Sequence, residues 1–147
     1  MTRDLCQALD GLHAGYRILR QDRPILSAAD AAGYYPLEKA APAFVLQTER
    51  GLIGCIASAQ NGRLDMEALK RRFGFEKLKL ADRKKVARET GFEAGAIPLV
   101  GLGLPCIFDE KLLRHDLVYG GTGDALETLE IDPRDLLKAN EIIGTFE

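Results

Sequence analysis

Tryptophan is absent from this 147-residue chain, histidine occurs twice and cysteine three times. His13 and His115 stand apart from each other and from any paired acid or hydroxyl, so a histidine-based catalytic dyad is not indicated. Cys6, Cys55 and Cys106 are odd in number, widely spaced and set in apolar runs, with no C-x-x-C pair or histidine cluster beside them. They are expected to be buried free thiols in a reducing compartment, with no disulfide framework and no metal site. Long hydrophobic runs are also missing. The longest uncharged stretch, Ala94–Phe108, is broken by glycine and proline, and the opening MTRDLCQALDGLH has no basic start followed by an apolar core. Neither a membrane span nor a signal peptide is expected, and the protein is expected to be cytoplasmic. Internal repeats and low-complexity segments are absent.

What is present suits one globular domain over residues 1–147. Hydrophobic residues make up 46% of the chain and charged residues 29%, enough apolar surface for one core at this length. The net charge of −2 hides an uneven distribution. Between Gly62 and Thr90, ten bases, among them Arg71, Arg72, Lys84 and Lys85, face five acids, whereas from Glu110 onward nine acids face four bases. The basic stretch either attracts the phosphates of a polynucleotide or forms a solvated helical face.

Capping and turn residues give a coarse element order. Thr2 or Asp4 starts an amphipathic helix carrying Leu5, Ala8, Leu9 and Leu12, and Tyr16–Leu19 reads as a short strand. Ser27 caps a brief helix over 28–32, and a turn is expected at 37–41. Ala43–Thr48 and Leu52–Ala59, joined by Glu49-Arg50-Gly51, predict a β-hairpin. Asn61-Gly62 marks a turn. Asp65 caps a helix over Met66–Phe73, whose basic last turn precedes Gly74. A strand at 77–80 leads to Asp82, cap of a helix over Arg83–Thr90. After a glycine-rich loop come a strand at Pro105–Phe108, a helical turn at Glu110–Leu113, a strand at Leu117–Tyr119, a second glycine loop, a strand at Leu126–Ile131 and a helix opening on Pro133. Hairpins mixed with helices, without a regular βαβ repeat, predict an α+β fold.

The two glycine-rich loops, Gly95–Gly103 and Gly120–Gly123, are the most informative feature. Glycine lets main-chain N–H groups turn toward a ligand and lets the ligand approach the backbone. Two such loops in one small domain suggest a pocket. Gly101-Leu102-Gly103 lacks the third glycine and helix of a dinucleotide fingerprint, and Gly120-Gly121-Thr122-Gly123 lacks the Lys-Ser/Thr of a P-loop, so no nucleotide cofactor is expected.

The loop Gly95-Ala96-Ile97-Pro98-Leu99-Val100-Gly101, preceded by Thr90-Gly91-Phe92 and followed by a strand ending in Asp109, resembles the signature loop of the YbaK/prolyl-tRNA-synthetase-associated (ProX-like) editing domains. Val118-Tyr119-Gly120-Gly121-Thr122-Gly123, then Thr128-Leu129-Glu130-Ile131 and Pro133-Arg134-Asp135-Leu136-Leu137, are similar to that family's closing strand, glycine turn, strand and helix. Gly62-Arg63-Leu64-Asp65 extends the resemblance, which covers roughly residues 25–140.

The resemblance implies a strongly twisted, partly closed mixed sheet with helices outside. It implies hydrolysis of the ester between a wrong amino acid and the 3′ end of a tRNA, with no metal or organic cofactor. The partners it implies are aminoacylated tRNA and, as a candidate, an aminoacyl-tRNA synthetase, with neither DNA nor membrane. Gly95 and Ala96 would act through their backbone on the acyl carbonyl, with Ile97, Pro98, Gly101 and Gly103 completing the first loop. Gly120, Gly121, Thr122 and Gly123, with Thr128, would hold the terminal ribose or the α-amino group. Lys84, Lys85, Arg71 and Arg72 would meet tRNA phosphates. At three positions the chain departs from the family, one of them Leu99, where the first loop usually carries a second proline after Pro98. Pro42 stands where a strand lysine belongs, and proline supplies neither a charge nor an N–H. Lys39, three residues earlier, is the candidate substitute. Asp124, where some relatives carry histidine, either orients water or a ribose hydroxyl, or terminates a turn. The rival expectation is a homologue that binds tRNA or an aminoacyl compound without turnover.

Overall fold

The computed structural model describes residues 7, 9–11, 15–25, 28–31, 33–61 and 64–147. Thr2, Asp4, Leu5, Cys6, Ala8, Leu12, His13, Ser27, Ala32, Gly62 and Arg63, for which the sequence carries expectations, lie outside them. Four helices are described: α1 (Ala28–Ala31), α2 (Met66–Phe73), α3 (Arg83–Thr90) and α4 (Pro133–Ala139). Local chemistry sets their ends. The Asp65 carboxylate accepts from the Ala68 N–H and the Asp82 carboxylate from the Lys85 N–H, each at the N-cap. Gly74 and Gly91 close α2 and α3 in the left-handed conformation, which glycine adopts without a Cβ penalty. Asp132 caps α4, with Pro133 in its first turn.

Among the described residues, eight strands form two sheets. Strands β1 (Tyr16–Arg20), β7 (Glu127–Ile131) and β6 (Val118–Gly121) make an antiparallel sheet in the order β1-β7-β6. Strands β4 (Leu78–Leu80), β2 (Ala43–Thr48), β3 (Gly51–Ile56), β5 (Cys106–Asp109) and β8 (Ile142–Phe146) make a mixed sheet in the order β4-β2-β3-β5-β8. The fold is α+β, as the residues predict. The strand material is divided between two sheets, tied by a bridge between Ala40 and Tyr119. The β2–β3 hairpin turns at Glu49-Arg50, where the Thr48 hydroxyl donates to the Gly51 carbonyl and accepts from the Arg50 N–H.

Side-chain alternation along β2 divides the core. Leu46, with Ile53, Cys55 and Ile107, packs beneath Leu69 of α2 and against Phe75 and Phe146. Val45 points the other way, onto Val86 of α3 and onto Ile97. Between the two sheets, Phe108, Leu112, Val118, Leu129, Ile131 and Leu136 close around Leu99 and Leu9. Cys55 and Cys106 are buried and free. Burial among apolar neighbours pushes the Cys55 thiol up to about 12 and the Cys106 thiol up to about 11, so both are inert thiols.

Two departures from the sequence reading matter for the site. Strand β8 is not foreseen. Gly120 and Gly121, read as a loop, belong to β6, paired with Leu129 and Thr128. Their missing side chains answer a packing need. A Cβ on Gly120 would lie 2.5 Å from Leu99 Cδ1 and 2.8 Å from the Ala41 carbonyl oxygen, and one on Gly121 would lie 2.3 Å from the Ile97 carbonyl oxygen. The first glycine loop therefore crosses directly on the edge of the strand that carries the second.

That crossing makes a stability prediction. Gly120→Ala is expected to destabilise the protein by about 1–3 kcal/mol, the usual cost of overpacking a rigid site. Gly15→Ala, where nothing lies within 4 Å, is expected to stay within about 0.5 kcal/mol of wild type. Urea unfolding of both variants checks the pair. An unperturbed midpoint for Gly120→Ala would contradict the close crossing.

Candidate functional site

A cleft of about 440 Å³ opens on the outer face of the three-stranded sheet. Its walls come from four segments: 40–44, 94–97, β6 with the following turn, and the start of β7, with Ile25, Ala31 and Tyr35 completing the rim. Tyr119, Gly121 and Thr128 share this face, because Tyr119 pairs with Glu130 and Gly121 with Thr128, while Val118 and Gly120 face the core.

The walls are held by main-chain bonds. The Ala41 N–H donates to the Tyr119 carbonyl at 2.8 Å, and the Leu99 N–H to the Gly121 carbonyl at 2.9 Å. Together they cover the free edge of β6. The Leu99 carbonyl in turn accepts from Asn140 Nδ2 at 2.8 Å, which anchors the loop exit to the end of α4. On the opposite wall, the Pro42 carbonyl accepts from the Ala57 N–H and the Ala40 carbonyl from the Ala59 N–H. Between those two, the Ser58 N–H donates to the fully buried Asp109 carboxylate.

The cleft brings together Gly95, Ala96, Ile97, Gly120, Gly121, Gly123, Asp124 and Thr128, all singled out from sequence. Lys39, Pro98, Gly101, Gly103 and Thr122 do not line it. Gly101 and Gly103 shape the chain, at φ of 87° and 81°, and Thr122 is a buried turn residue whose hydroxyl accepts from the Asp124 N–H. Asp124 Oδ1 accepts from the Leu126 N–H, so this carboxylate terminates a turn while also lining the cleft. The Thr128 hydroxyl donates to Gln21 Oε1 at 3.2 Å. The Ala96 N–H closes a turn onto the Glu93 carbonyl at 2.9 Å. Those of Gly95 and Ile97 have no acceptor among the described residues, and Ile97 is only 4% exposed. An N–H at a cleft wall without a protein acceptor is free to donate to a ligand or to water.

Charge is distributed differently from the expectation. Among the described residues the lining carries the carboxylates of Asp124 and Glu127 and no lysine, arginine or histidine. Glu127 is paired with Arg20 at 3.0 Å. The basic stretch also divides. α2, with Arg71 and Arg72, packs on one face of the five-stranded sheet, and α3, with Lys84 and Lys85, on the other. Arg72 Nε donates to the Thr145 carbonyl, and Lys85 Nζ to Gln47 Oε1 at 2.7 Å. Strand alternation enforces this split, which a count of charges along the chain does not see. Among the described residues, no three histidine, cysteine or acidic side chains gather as metal ligands, and no helix is long and apolar enough to cross a membrane.

The aminoacyl-tRNA editing domain, as a family, matches residues 23–139 of this chain. The chain belongs to that family. Solved structures agree in fold. A proposed trans-editing enzyme for prolyl tRNA synthetase superposes with a TM-score of 0.82 at 25% identity, covering 97% of this chain and 93% of that one. A scaffold protein used for computational grafting of linear epitopes gives 0.80 at 26% identity, with 97% and 95% covered. The hypothetical protein APE2540 gives 0.82 at 23% identity, with 96% of each chain covered, a likeness of fold alone. No curated protein sequence matches.

In this editing domain the cleft is backed by a network that sequence reasoning missed. Glu130 is 5% exposed on β7. It accepts from Arg17 Nε at 2.7 Å, from Arg17 Nη2 at 2.9 Å and from the Tyr119 hydroxyl at 2.8 Å. The Tyr119 ring stacks on Tyr35 with centroids 4.9 Å apart and planes 8° from parallel. Lys39 contributes here, since its charge acts on Glu130. The Arg17–Glu130 pair spans 113 residues, so nothing local in the sequence announces it.

Its pH dependence has a definite sign. The Arg17 hydrogen bonds, with help from Tyr119 and Lys39, hold the Glu130 carboxyl below its ordinary value of 4.5 despite opposing burial. A carboxyl depressed in the folded state stabilises above the unfolded value, and that stability is lost as pH falls through the folded one. Glu130→Gln is therefore expected to destabilise the editing domain near neutral pH. The gap from wild type should narrow as pH falls below 4.5. Urea unfolding at about pH 7 and about pH 3 measures both ends, and a gap independent of pH would contradict the assignment.

Proposed function

We propose that this editing domain acts in trans as an aminoacyl-tRNA deacylase, hydrolysing the ester of a mischarged amino acid at the 3′ end of a tRNA. The observation that carries the reading is the cleft wall made of bare backbone, where the N–H groups of Gly95 and Ile97, without an acceptor among the described residues, stand at a surface kept open by Gly121. An ester needs a placed water and donors for the oxyanion that develops as water adds to the carbonyl. Main-chain N–H groups fixed by the Leu99, Gly121 and Asn140 contacts supply such donors without reorganisation. The acyl carbonyl lies against Gly95–Ile97, and the ribose against Gly121 and Thr128. Asp124 and Glu127 lie near enough to the cleft to meet a water, a hydroxyl or an α-ammonium group. The whole chain forms one domain in this reading, and no cofactor takes part. A tRNA body is met by basic side chains from both faces of the sheet, with an aminoacyl-tRNA synthetase as the source of the mischarged substrate.

One observation favours the rival reading of binding without turnover. Among the described residues the lining offers no cation, Lys39 stands outside the wall, and Pro42 is where the resemblance places a lysine. A panel of mischarged tRNAs decides between the two. Under the enzyme reading, Gly95→Val is expected to cost on the order of 10²-fold or more in deacylation while leaving the unfolding midpoint intact, the size of losing an oxyanion donor. Lys39→Ala is expected to cost less than about tenfold, since no donor in the wall is removed. Tight binding of aminoacyl-tRNA with no turnover of any panel member would establish the rival.

The tRNA contact has its own test. Reversing Lys84 and Lys85 to glutamate is expected to weaken tRNA binding and flatten its dependence on salt, because fewer counterions are released. An unchanged salt slope would assign α3 to solvation alone.

A further inference from the structure

The aromatic pair in the cleft has no place in the deacylation chemistry above. Tyr35 and Tyr119 both line the cavity, nearly parallel and 4.9 Å apart. Tyr119 is pinned twice, its carbonyl by the Ala41 N–H and its hydroxyl by Glu130, which Arg17 holds from the other side. A ring fixed this firmly is a surface prepared in advance, and aromatic rings gain by stacking on other planar rings.

Position identifies what would stack there. Tyr119 and Gly121 are two residues apart on one strand and point to the same face, so they stand roughly 7 Å apart along β6. Gly121 lies against the Ile97 backbone, where the acyl carbonyl is placed. An aminoacyl nucleoside has its ester and its base on opposite sides of a single sugar ring. With the ester against the glycine wall, the base falls at the tyrosines.

We propose that the Tyr35–Tyr119 pair is the binding shelf for the nucleobase of the substrate's 3′-terminal nucleoside, so that this site selects aminoacyl nucleosides over simple aminoacyl esters. The inference rests on the deacylase reading for the location of the ester. Stacking tolerates any base, and the shelf adds affinity without base discrimination.

The test uses two non-hydrolysable probes: 3′-alanylamino-3′-deoxyadenosine, and the same alanylamino sugar with hydrogen in place of the base. Binding of both to the intact protein and to Tyr35→Ala and Tyr35→Phe is measured by calorimetry. The shelf predicts that Tyr35→Ala weakens the adenosine probe by about 5- to 150-fold, the value of one base on one aromatic ring. Tyr35→Phe should bind as wild type, and the base-free probe should not distinguish the three proteins. Equal losses on both probes, or an indifferent Tyr35→Ala, would overturn the shelf. So would a loss that appears only when the alanyl group is exchanged for phenylalanyl, which would assign the rings to the acyl side chain. The two readings fail separately. Deacylation with no base-dependent binding sinks the shelf alone, and base-dependent binding with no deacylation of any mischarged tRNA sinks the deacylase alone. Failure to bind either probe sinks both.

Discussion

The close crossing of residues 97–99 and 40–41 on the edge of β6 is the contact on which the rest of the structure depends. Sheet edges normally need cover, because their N–H and C=O groups are unpaired. Here the cover comes from the Ala41 and Leu99 N–H groups, which donate to the carbonyls of Tyr119 and Gly121. Backbone can come that near only where β6 has no side chains, and so Gly120 and Gly121 stand there. The same contact joins the two sheets and seats Leu99 in the core between them. It also fixes one wall of the cleft.

Electrostatics and packing then divide the labour. The cleft interior is apolar apart from main chain, the three hydroxyl-bearing residues Tyr35, Tyr119 and Thr128, and two acids. Positive charge is kept outside, on α2 and α3 and on Arg17, and the buried carboxylate of Glu130, held below its ordinary range by Arg17, is used to fix a ring. Exposed ion pairs such as Arg114 with Glu147 contribute little to stability. The Glu130 network differs because its acid is buried and triply bonded, so removing one partner leaves an unsatisfied carboxylate.

The legible parts of the sequence were those written in local code. Caps at Asp65 and Asp82, the glycine at 74, the proline start at 133 and the turn of the β2–β3 hairpin were all readable, because each depends on residues close in sequence. The segment Gly120–Gly123 was legible as important and misread in form: Gly-Gly-Thr-Gly has the composition of a turn, and only contact with Ile97 and Leu99 explains two glycines inside a strand. Strand β8 was missed since five residues after a helix carry little periodicity, and its place is set by parallel pairing with β5. The Arg17–Glu130 pair spans 113 residues and leaves no local mark. An acid alternating with Leu129 and Ile131 looks like a solvated position, whereas the partner strands on either side bury it. The basic stretch misled for the same reason, since proximity in sequence placed on one face residues that strand alternation sends to two.

Pro42 can be understood within this arrangement. Every N–H of the wall formed by residues 40–42 is committed or missing: Ala40 donates to Leu37, Ala41 donates to Tyr119, and Pro42 has none to give. That wall supplies shape and no polarity, and a side chain projecting from its last residue as a cation would have to be solvated inside an apolar cleft or paired with Asp124 or Glu127. The opposite wall has the reverse character, with N–H groups at Gly95 and Ile97 and little side-chain bulk. A ligand with one carbonyl and one flat ring therefore meets donors on one side only, and its orientation is set by which wall can hydrogen-bond. Selectivity of that kind needs no charged residue in the cleft, and a proline at position 42 is compatible with it.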